Sequence, residues 1–212
     1  MVKEKNKSND VLQNPFTQGI GTRKIILPNG KIYTYIHNYR TGGRSFHRWC
    51  YDNLSMTNQI TGKHQRVHQA QEELGDLGQI FFTVRNPWDW CVSRWSHRKM
   101  RGATKLTFKD WLYSPKNFKR GVDYDTGAIN YERSYLILRK SVNEYEKGAI
   151  VLRFENLKSD FVQIQDALDC HVPLPHINSS PHTHYTDFYT DKTRRHVKSL
   201  FGKYITKFEY EF

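Results

Sequence analysis

Arg85 and Ser93 flank the start of a predicted helix, and together they have the chemistry of an anion-binding site. Residues 80–84 are a short apolar run with β-branched and aromatic members, which predicts a buried strand. Asn86 then suits a helix N-cap, and Pro87 suits the first helical position. Ser93 lies about two helical turns beyond Asn86, so it returns to the same side of the helix. An arginine and a hydroxyl that converge beside a helix N-terminus can hold an anion, most simply a phosphate.

A second basic turn earlier in the chain argues against the simpler interpretation of a solvated arginine and an incidental serine. Residues 37–50 run from a predicted strand through Gly42 and Gly43 into a predicted helix, without any acidic residue. The glycines let the backbone turn tightly and approach a ligand closely. Such a loop offers backbone N–H groups and a helix dipole to a phosphate. It also carries three guanidinium groups, those of Arg40, Arg44 and Arg48.

This loop is not a Walker A loop, because it lacks the pattern G-x-x-x-x-G-K-[ST]. The nearest match elsewhere is residues 57–64, where Thr57 replaces the first glycine and His64 replaces the final hydroxyl residue. The sequence therefore disfavours an NTPase that depends on a metal ion.

The elements around the two basic turns predict an α/β fold. Two β-rich runs within residues 23–36 flank Pro-Asn-Gly at 28–30, which is typical of a hairpin. Core strands are predicted at 32–36, 80–84 and 148–154. Strands that alternate with helices favour a single domain with a central parallel β-sheet flanked by helices. Ligands bind at the carboxyl edge of such sheets, so both basic turns are expected there and can hold two ends of one ligand.

The rest of the chain is assigned from the same kinds of pattern. Residues 1–22 are polar and charged and predict a flexible lead-in to a domain of residues 23–212. Residues 56–66 carry no clear pattern. The predicted long loop at 113–130 is a candidate substrate wall. Further helices are predicted at 67–74, 108–112, 131–145, 156–168 and 191–203, with an irregular stretch at 172–189 and a packed aromatic tail at 208–212.

The net charge of the chain predicts an anionic partner. The 212 residues carry a formal charge of +12, which favours nucleic acid, a membrane surface, a polyanionic polymer or a nucleotide cofactor. Three widely spaced cysteines without a CxxC pair argue against a zinc site and a disulfide framework. No apolar run is long enough to span a bilayer, and the N-terminus lacks the apolar core of a signal peptide. We therefore expect a soluble, cytoplasmic protein.

The two basic turns resemble the two cofactor motifs of sulfotransferases that use 3′-phosphoadenosine 5′-phosphosulfate (PAPS), above all the carbohydrate sulfotransferases. Residues 85–93 match every fixed position of the family's second motif, R-N-P-x-D-x-x-x-S. Weaker similarities follow in the expected order at 152–157 and 185–212, so the resemblance spans residues 32–212. The first motif, P-K-[ST]-[GA]-[GT]-[TS]-[SW], is matched in part by Tyr39-Arg40-Thr41-Gly42-Gly43-Arg44-Ser45.

The resemblance implies which residues bind the cofactor. A P-loop-like first loop would hold the 5′-phosphosulfate, and the second turn would hold the 3′-phosphate of PAPS. The product would be 3′-phosphoadenosine 5′-phosphate (PAP), no metal would take part, and the acceptor hydroxyl would belong to a carbohydrate or another small molecule, not to nucleic acid. The implied cofactor-binding residues are Arg40, Thr41, Gly42, Gly43, Arg44 and Ser45 in the first loop, with Arg85 and Ser93 in the second turn.

The chain departs from the family pattern at two positions in the first loop. The family usually has lysine where this chain has Arg40, and that cation contacts the bridging oxygen of the leaving phosphate. Arginine supplies the same charge, but its planar fork is not equivalent to an ammonium group. Arg44 stands where the family has a small hydroxyl residue.

The reaction implied by the resemblance also needs a general base, usually histidine or glutamate in this family. His68 is the first choice, because residues 68–74 loosely resemble the H-x-x-x-x-E-[IL] segment of carbohydrate sulfotransferases. His64 is the second, and Arg40 completes the predicted catalytic set. Glu155 is expected to have a structural role. Two histidines that flank the first loop stay open as alternatives: His37 and His47.

Two other functions compete with sulfuryl transfer. A nucleotide-dependent phosphotransferase would use a Walker lysine and a magnesium-binding aspartate, and the sequence contains neither motif. A non-catalytic basic protein would bind polyanions or nucleic acid with strong salt dependence and without selectivity for one nucleotide.

Overall fold

Five strands and seven α-helices make up the described part of the chain in this computed structural model, namely residues 21–54, 57–60, 67–114, 117, 148–177 and 182–212. Two 3₁₀-helices lie at Phe154–Asn156 and Tyr185–Phe188. The α/β fold class is therefore confirmed. In chain order the elements are β1 (Arg23–Ile26), β2 (Ile32–Ile36), α1 (Gly43–Asn53), β3 (Thr57–Ile60), α2 (Val67–Leu74), β4 (Gln79–Val84), α3 (Pro87–Met100), α4 (Phe108–Tyr113), β5 (Ile150–Arg153), α5 (Leu157–Asp160), α6 (Val162–Leu168) and α7 (Asp191–Lys207).

The five strands form one sheet in the order β3-β1-β2-β4-β5. Its parallel part is β2, β4 and β5, with Ile36 opposite Phe82 and Phe82 opposite Val151. β1 runs antiparallel to both β2 and β3. The sheet is therefore mixed, whereas the sequence pattern predicts a parallel one. The cause is the hairpin, which turns β1 back against β2.

The hairpin predicted over residues 23–36 is confirmed. Around its turn, the Leu27 amide donates to the Lys31 carbonyl and the Gly30 amide donates to the Leu27 carbonyl, both at 2.9 Å. β3 was not predicted, because residues 57–60 are mostly polar and show no period. This edge strand forms by pairing its backbone with β1, and such pairing depends on tertiary context more than on local propensity.

Adjacent residues of β4 point to opposite faces of the sheet, and each face has its own core. Phe81 packs in the core that α1, α5 and α6 cover, together with Trp49 and Ile164. Phe82 and Val84 pack in the other core, which α2, α3, α4 and α7 cover. Burying each of these large apolar side chains stabilises the fold by about 2 kcal/mol. This two-sided burial explains why β4 is apolar along most of its length.

Helix α3 is buried on nearly all sides. Trp88, Val92 and Trp95 recur at helical spacing, which predicts an inward-facing stripe, and all three are buried. Trp90 and Cys91, which the stripe does not include, are buried as well. The reason is that α3 packs against the sheet, α4, α7 and the short helix at 185–188. The second basic turn is therefore attached to the most enclosed helix that the structure describes.

The C-terminal segment extends further than predicted and packs as expected. α7 continues to Lys207 with a bend at Phe201, beyond the predicted end at residue 203. Phe208 and Tyr210 are buried in the core. The Phe212 ring lies edge-on to Trp88, with the ring centroids 5.7 Å apart. The tail therefore packs over the start of α3.

The helix predicted at 156–168 begins and ends where expected, but it is not continuous. Asn156 ends a 3₁₀ turn and occupies the N-cap position of α5, but its side chain makes no capping hydrogen bond. Phe161 divides the predicted helix into α5 and α6. Within the described ranges, no helix is both long and apolar enough to cross a membrane. Gly21 and Thr22, at the end of the predicted lead-in, are buried. Several predictions lie outside the described residues: most of the lead-in, most of the loop at 113–130, the helix at 131–145, and His64.

Candidate functional site

The two basic turns lie side by side at one edge of the sheet. β2 and β4 are parallel neighbours, so the chain leaves both strands at the same edge. The side-chain amide of Asn38, after β2, donates to the carbonyl of Thr83 near the end of β4 at 2.9 Å. The Thr41 hydroxyl in turn donates to the Asn38 carbonyl at 2.9 Å. These bonds fix the first loop to the strand that carries the second.

The first loop contains two residues with left-handed backbone. Arg40 has φ of 62° and Gly42 has φ of 88°. Left-handed backbone costs a residue with a Cβ about 1–2 kcal/mol, so the surrounding contacts must hold Arg40 in place. Gly42 takes the N-cap position of α1, where a Cβ would lie 2.7 Å from Leu157 Cδ2.

Gly43 is required for a different reason, which is close packing against His37. A Cβ built on Gly43 would overlap the imidazole ring of His37. His37 is buried beneath the loop, and its ring stacks on that of Tyr35 with centroids 5.9 Å apart. The loop thus rests directly on a buried imidazole, and only a residue without a side chain fits between them.

The second basic turn has the helix-start chemistry that its sequence predicts. Asn86 Oδ1 accepts hydrogen bonds from the amides of Trp88 at 3.0 Å and Asp89 at 3.4 Å, and Pro87 stands at the first helical position. Arg85 Nε donates to Asp89 Oδ2 at 2.8 Å. This ion pair, nearly buried, holds the arginine against the first turn of α3.

Ser93 is where the two turns meet. Arg40 donates to Ser93 Oγ through Nε at 3.2 Å and Nη2 at 2.9 Å. Arg85 Nη1 donates to the same oxygen at 3.1 Å and to the carbonyl of Arg40 at 3.0 Å. The Arg85 guanidinium also lies 4.0 Å from the centroid of the Phe154 ring. Three residues that the sequence places in two separate motifs therefore form one cluster.

Further contacts dock the first loop on α3. Trp90 Nε1 donates to the carbonyl of Tyr39 at 2.7 Å. The buried guanidinium of Arg94 lies 4.1 Å from the centroid of the Tyr39 ring. These contacts hold the residue before Arg40, which explains how Arg40 keeps its left-handed backbone.

Positive charge exceeds negative charge in this cluster. Asp89 neutralises one guanidinium, that of Arg85. Two guanidinium groups share one hydroxyl oxygen here. Two unit charges about 6 Å apart repel by about 3 kcal/mol at an effective dielectric constant near 20. Burial lowers the pKa of Arg40 to about 10, and three neighbouring cations act in the same direction: Arg85, Arg94 and Arg44. A bound anion would relieve this repulsion, so the cluster is suited to hold one.

The C-terminal segment supports the second turn from behind. The Tyr204 hydroxyl accepts from the Arg85 amide at 3.0 Å and donates to the Arg85 carbonyl at 3.1 Å. The Asn86 amide donates to Glu155 Oε1, and Tyr210 donates to Glu155 Oε2 at 3.2 Å. Burial raises the pKa of Glu155, whereas these hydrogen bonds lower it. Glu155 is thus engaged in holding backbone, in line with its expected structural role.

We predict that Tyr204→Phe destabilises the protein. The change leaves the buried amide and carbonyl of Arg85 without their hydroxyl partner, which costs about 1–3 kcal/mol. Urea unfolding measures the loss of stability. Tyr113→Phe is the matched control, because its exposed hydroxyl makes only a 3.4 Å contact with the Lys192 carbonyl. Equal unfolding free energies for the two variants would contradict the proposed support.

The remaining cofactor-binding residues predicted from the first loop differ in their positions. The Thr41 hydroxyl is buried and bonded to the loop itself, as described above. The Ser45 hydroxyl is also buried, and it accepts from the amide of Ile177 at 3.3 Å. Arg44 is exposed at the start of α1. The two hydroxyls therefore stabilise the loop, and their direct contact with a ligand stays a prediction.

The candidate bases lie in different surroundings. His68 is exposed near the start of α2, and His64 lies outside the described residues. His37 is buried beneath Gly43, and His47 is buried and accepts from Arg23 Nε at 3.2 Å. The choice of His68 stays a prediction. In the part of the chain described, no three His, Cys, Asp or Glu side chains form a possible metal site.

Several residues of the cluster were not singled out from the sequence. Tyr204 could not have been found, because it is 119 positions from the backbone that it holds. His97 carried a usable signal, since it follows Ser93 by four positions and so shares its face of α3. Arg94 carried none of this kind, because adjacent positions of a helix do not share a face. Phe46 and Trp49 of α1 are buried in the core.

The chain matches no known protein-family model, and no curated protein sequence matches it.

Proposed function

We propose that this protein is a sulfotransferase that moves a sulfuryl group from PAPS to an acceptor hydroxyl, with a carbohydrate as the expected acceptor. The observation that carries the proposal is the meeting of Arg40 and Arg85 at Ser93. These residues come from the two segments that resemble the family's two cofactor motifs. Their contact brings the two segments to one point, where they would hold two ends of one cofactor.

The site has one group of donors for each of the two anionic ends of such a cofactor. Arg85 uses Nε and Nη1 within the protein, and its Nη2 makes no hydrogen bond with the described part of the chain. That nitrogen and Ser93 would hold the 3′-phosphate. The glycine turn before α1 would hold the 5′-phosphosulfate on its amides, as a P-loop holds phosphate. The parallel strands β2, β4 and β5 would then act as the cofactor-binding part of the sheet.

Arg40 would be the residue that joins the two halves of the site. In sulfuryl transfer the acceptor oxygen bonds to sulfur as the bond from sulfur to the bridging oxygen breaks, which leaves PAP and releases the hydroxyl proton to a base. Negative charge grows on the leaving phosphate, so a cation held near it lowers the barrier. Arg40 is held by Ser93 and by the contacts that fix Tyr39 before it, so this charge is positioned before the ligand arrives.

The first test is calorimetric binding of PAP, ATP and 5′-AMP to the full chain, followed by transfer of labelled sulfate from PAPS to carbohydrate acceptors. Micromolar binding of PAP that is at least about tenfold tighter than binding of the other two would support a PAPS site. Binding of all three with equal affinity and a steep salt dependence would instead favour a polyanion-binding protein. ATP bound in preference to PAP would favour the phosphotransferase.

We predict that His68→Ala lowers turnover and leaves the Kd of PAP unchanged. Loss of a general base lowers kcat by about a hundredfold or more, whereas a residue on the acceptor side makes no contact with PAP. The measurement is kcat for sulfate transfer together with the Kd of PAP. His171→Ala, at a histidine whose side chain is 66% exposed, is the matched control. Full turnover in His68→Ala would exclude His68, and His64→Ala would be measured next.

A further inference from the structure

His97 extends the arginine cluster along α3. It follows Ser93 by four positions, so it lies about one helical turn further along the same face. Its side chain is half-buried, and its ring makes no hydrogen bond with the part of the chain that the structure describes. The His97 ring therefore lies next along α3 from the arginine cluster, and its ring nitrogens are available to a ligand.

The charges around His97 come from both basic elements. Burial lowers its pKa to about 4, and four arginines add to this effect: Arg40, Arg101, Arg94 and Arg44. Two of them belong to the glycine loop and α1, and two to α3 or its C-cap. The other elements that pack against α3 are α4, the short helix at 185–188 and α7, and none of their titratable groups is among the causes of this shift. Apart from tyrosines, those groups are Lys109, Asp110, Asp187, Asp191, Lys192, Arg194, Arg195, His196, Lys198, Lys203 and Lys207. His97 is therefore neutral at pH 7 in the free protein.

We propose that His97 is a further ligand-binding residue of this site, which takes up a proton together with a polyanion and so adds a positive charge to the bound state. The inference rests on the proposed function only for the identity of the polyanion, PAPS or PAP. A ligand with several negative charges offsets the four arginines that oppose protonation of the ring. The protonated ring can then donate a hydrogen bond that the neutral site lacks.

This coupling has a definite sign. If the bound state restores the ordinary histidine pKa of about 6.5, a polyanion binds about tenfold tighter at pH 5.5 than it would to a site that cannot take up the proton. The advantage is lost as the pH rises through the pKa of the bound state. At pH 8 the imidazole is neutral with or without ligand, so it contributes no charge there.

The experiment compares the wild type with His97→Gln, which keeps hydrogen-bonding groups but cannot become charged. PAP binding is measured by calorimetry at pH 5.5, 6.5 and 8 in two non-phosphate buffers of different ionisation enthalpy. We expect the wild type to bind PAP about tenfold tighter than the variant at pH 5.5 and equally at pH 8. We also expect it to take up more protons than the variant at pH 5.5 and 6.5. The difference between the two proteins cancels the protons that the phosphates themselves exchange.

The controls separate this inference from the proposed function. His171→Gln, at an exposed histidine, should behave as the wild type at every pH. If PAP binds and His97→Gln takes up the same number of protons as the wild type, the His97 inference is overturned and the cofactor assignment stands. If PAP does not bind, the same comparison is made with tripolyphosphate, because the inference needs only a polyanion. Equal proton uptake by both proteins with that probe would overturn it as well.

Discussion

Alanine in place of Arg85 should weaken the binding of PAP by at least about 100-fold. A hydrogen bond to a charged partner contributes about 1.5–3 kcal/mol, and each 1.4 kcal/mol is a factor of ten in Kd. Arg85 supplies charge to the site and also holds the carbonyl of Arg40 and the hydroxyl of Ser93. Its loss therefore removes one ligand contact and loosens another. Calorimetric titration with PAP measures the effect.

Two further variants make this result interpretable. Arg195→Ala removes an exposed arginine of α7 and should leave PAP binding unchanged, which separates the local effect from a change in net charge. Arg85→Lys keeps the charge and loses the planar fork, so an intermediate affinity is expected. Arg85→Ala leaves the carboxylate of Asp89 without its partner, which can destabilise the protein. A thermal melt of each variant therefore checks that it is folded. Wild-type affinity in a folded Arg85→Ala protein would exclude the proposed cofactor site.

Gly43→Ala should lower the free energy of unfolding by about 2 kcal/mol and weaken PAP binding as well. The new Cβ would overlap the buried His37 ring, so the loop or the ring must move, and forcing extra volume into a packed site costs about 1–3 kcal/mol. The displaced loop would no longer place Arg40 on Ser93. Urea unfolding and PAP titration measure the two effects on the same protein.

Gly202→Ala is the matched control for this substitution. A Cβ at Gly202 meets no atom within 4 Å, and the residue lies within α7. Alanine there should keep or raise stability, by up to about 1 kcal/mol, since it favours helix more than glycine does. The double variant His37→Ala with Gly43→Ala makes room for the added carbon, so it should lose less stability than the two single changes predict together. A Gly43→Ala protein as stable as the wild type would contradict the packing argument.

Helix-start chemistry explains why the second basic turn was predictable to the residue. Asn86, Pro87 and Asp89 each act through neighbours no more than three or four positions away, so their types are enough to specify the turn. The hairpin at 23–36 and the strand β4 were predictable for the same reason. The helical spacing of Ser93 also indicated the correct face of α3.

Pairing between distant segments explains where prediction failed. The polar edge strand β3 forms because its backbone pairs with that of β1. The sheet is mixed because the β1–β2 hairpin makes β1 antiparallel to β2. The hydroxyl of Tyr204 lies on the backbone of Arg85 only because α7 packs under the sheet edge. A local sequence pattern does not predict which buried groups this packing brings together.

The sequence by itself determined the type of site: two basic turns, one after each of two strands, with glycines in the first and a capped helix after the second. Local backbone preferences and charge are sufficient for that, because both are properties of neighbouring residues. Only the tertiary structure decided that Arg40 and Arg85 share the hydroxyl of Ser93, and that burial and four arginines lower the pKa of His97. Those facts depend on distances and burial between segments that are far apart in the chain, which arise when the sheet and its helices pack.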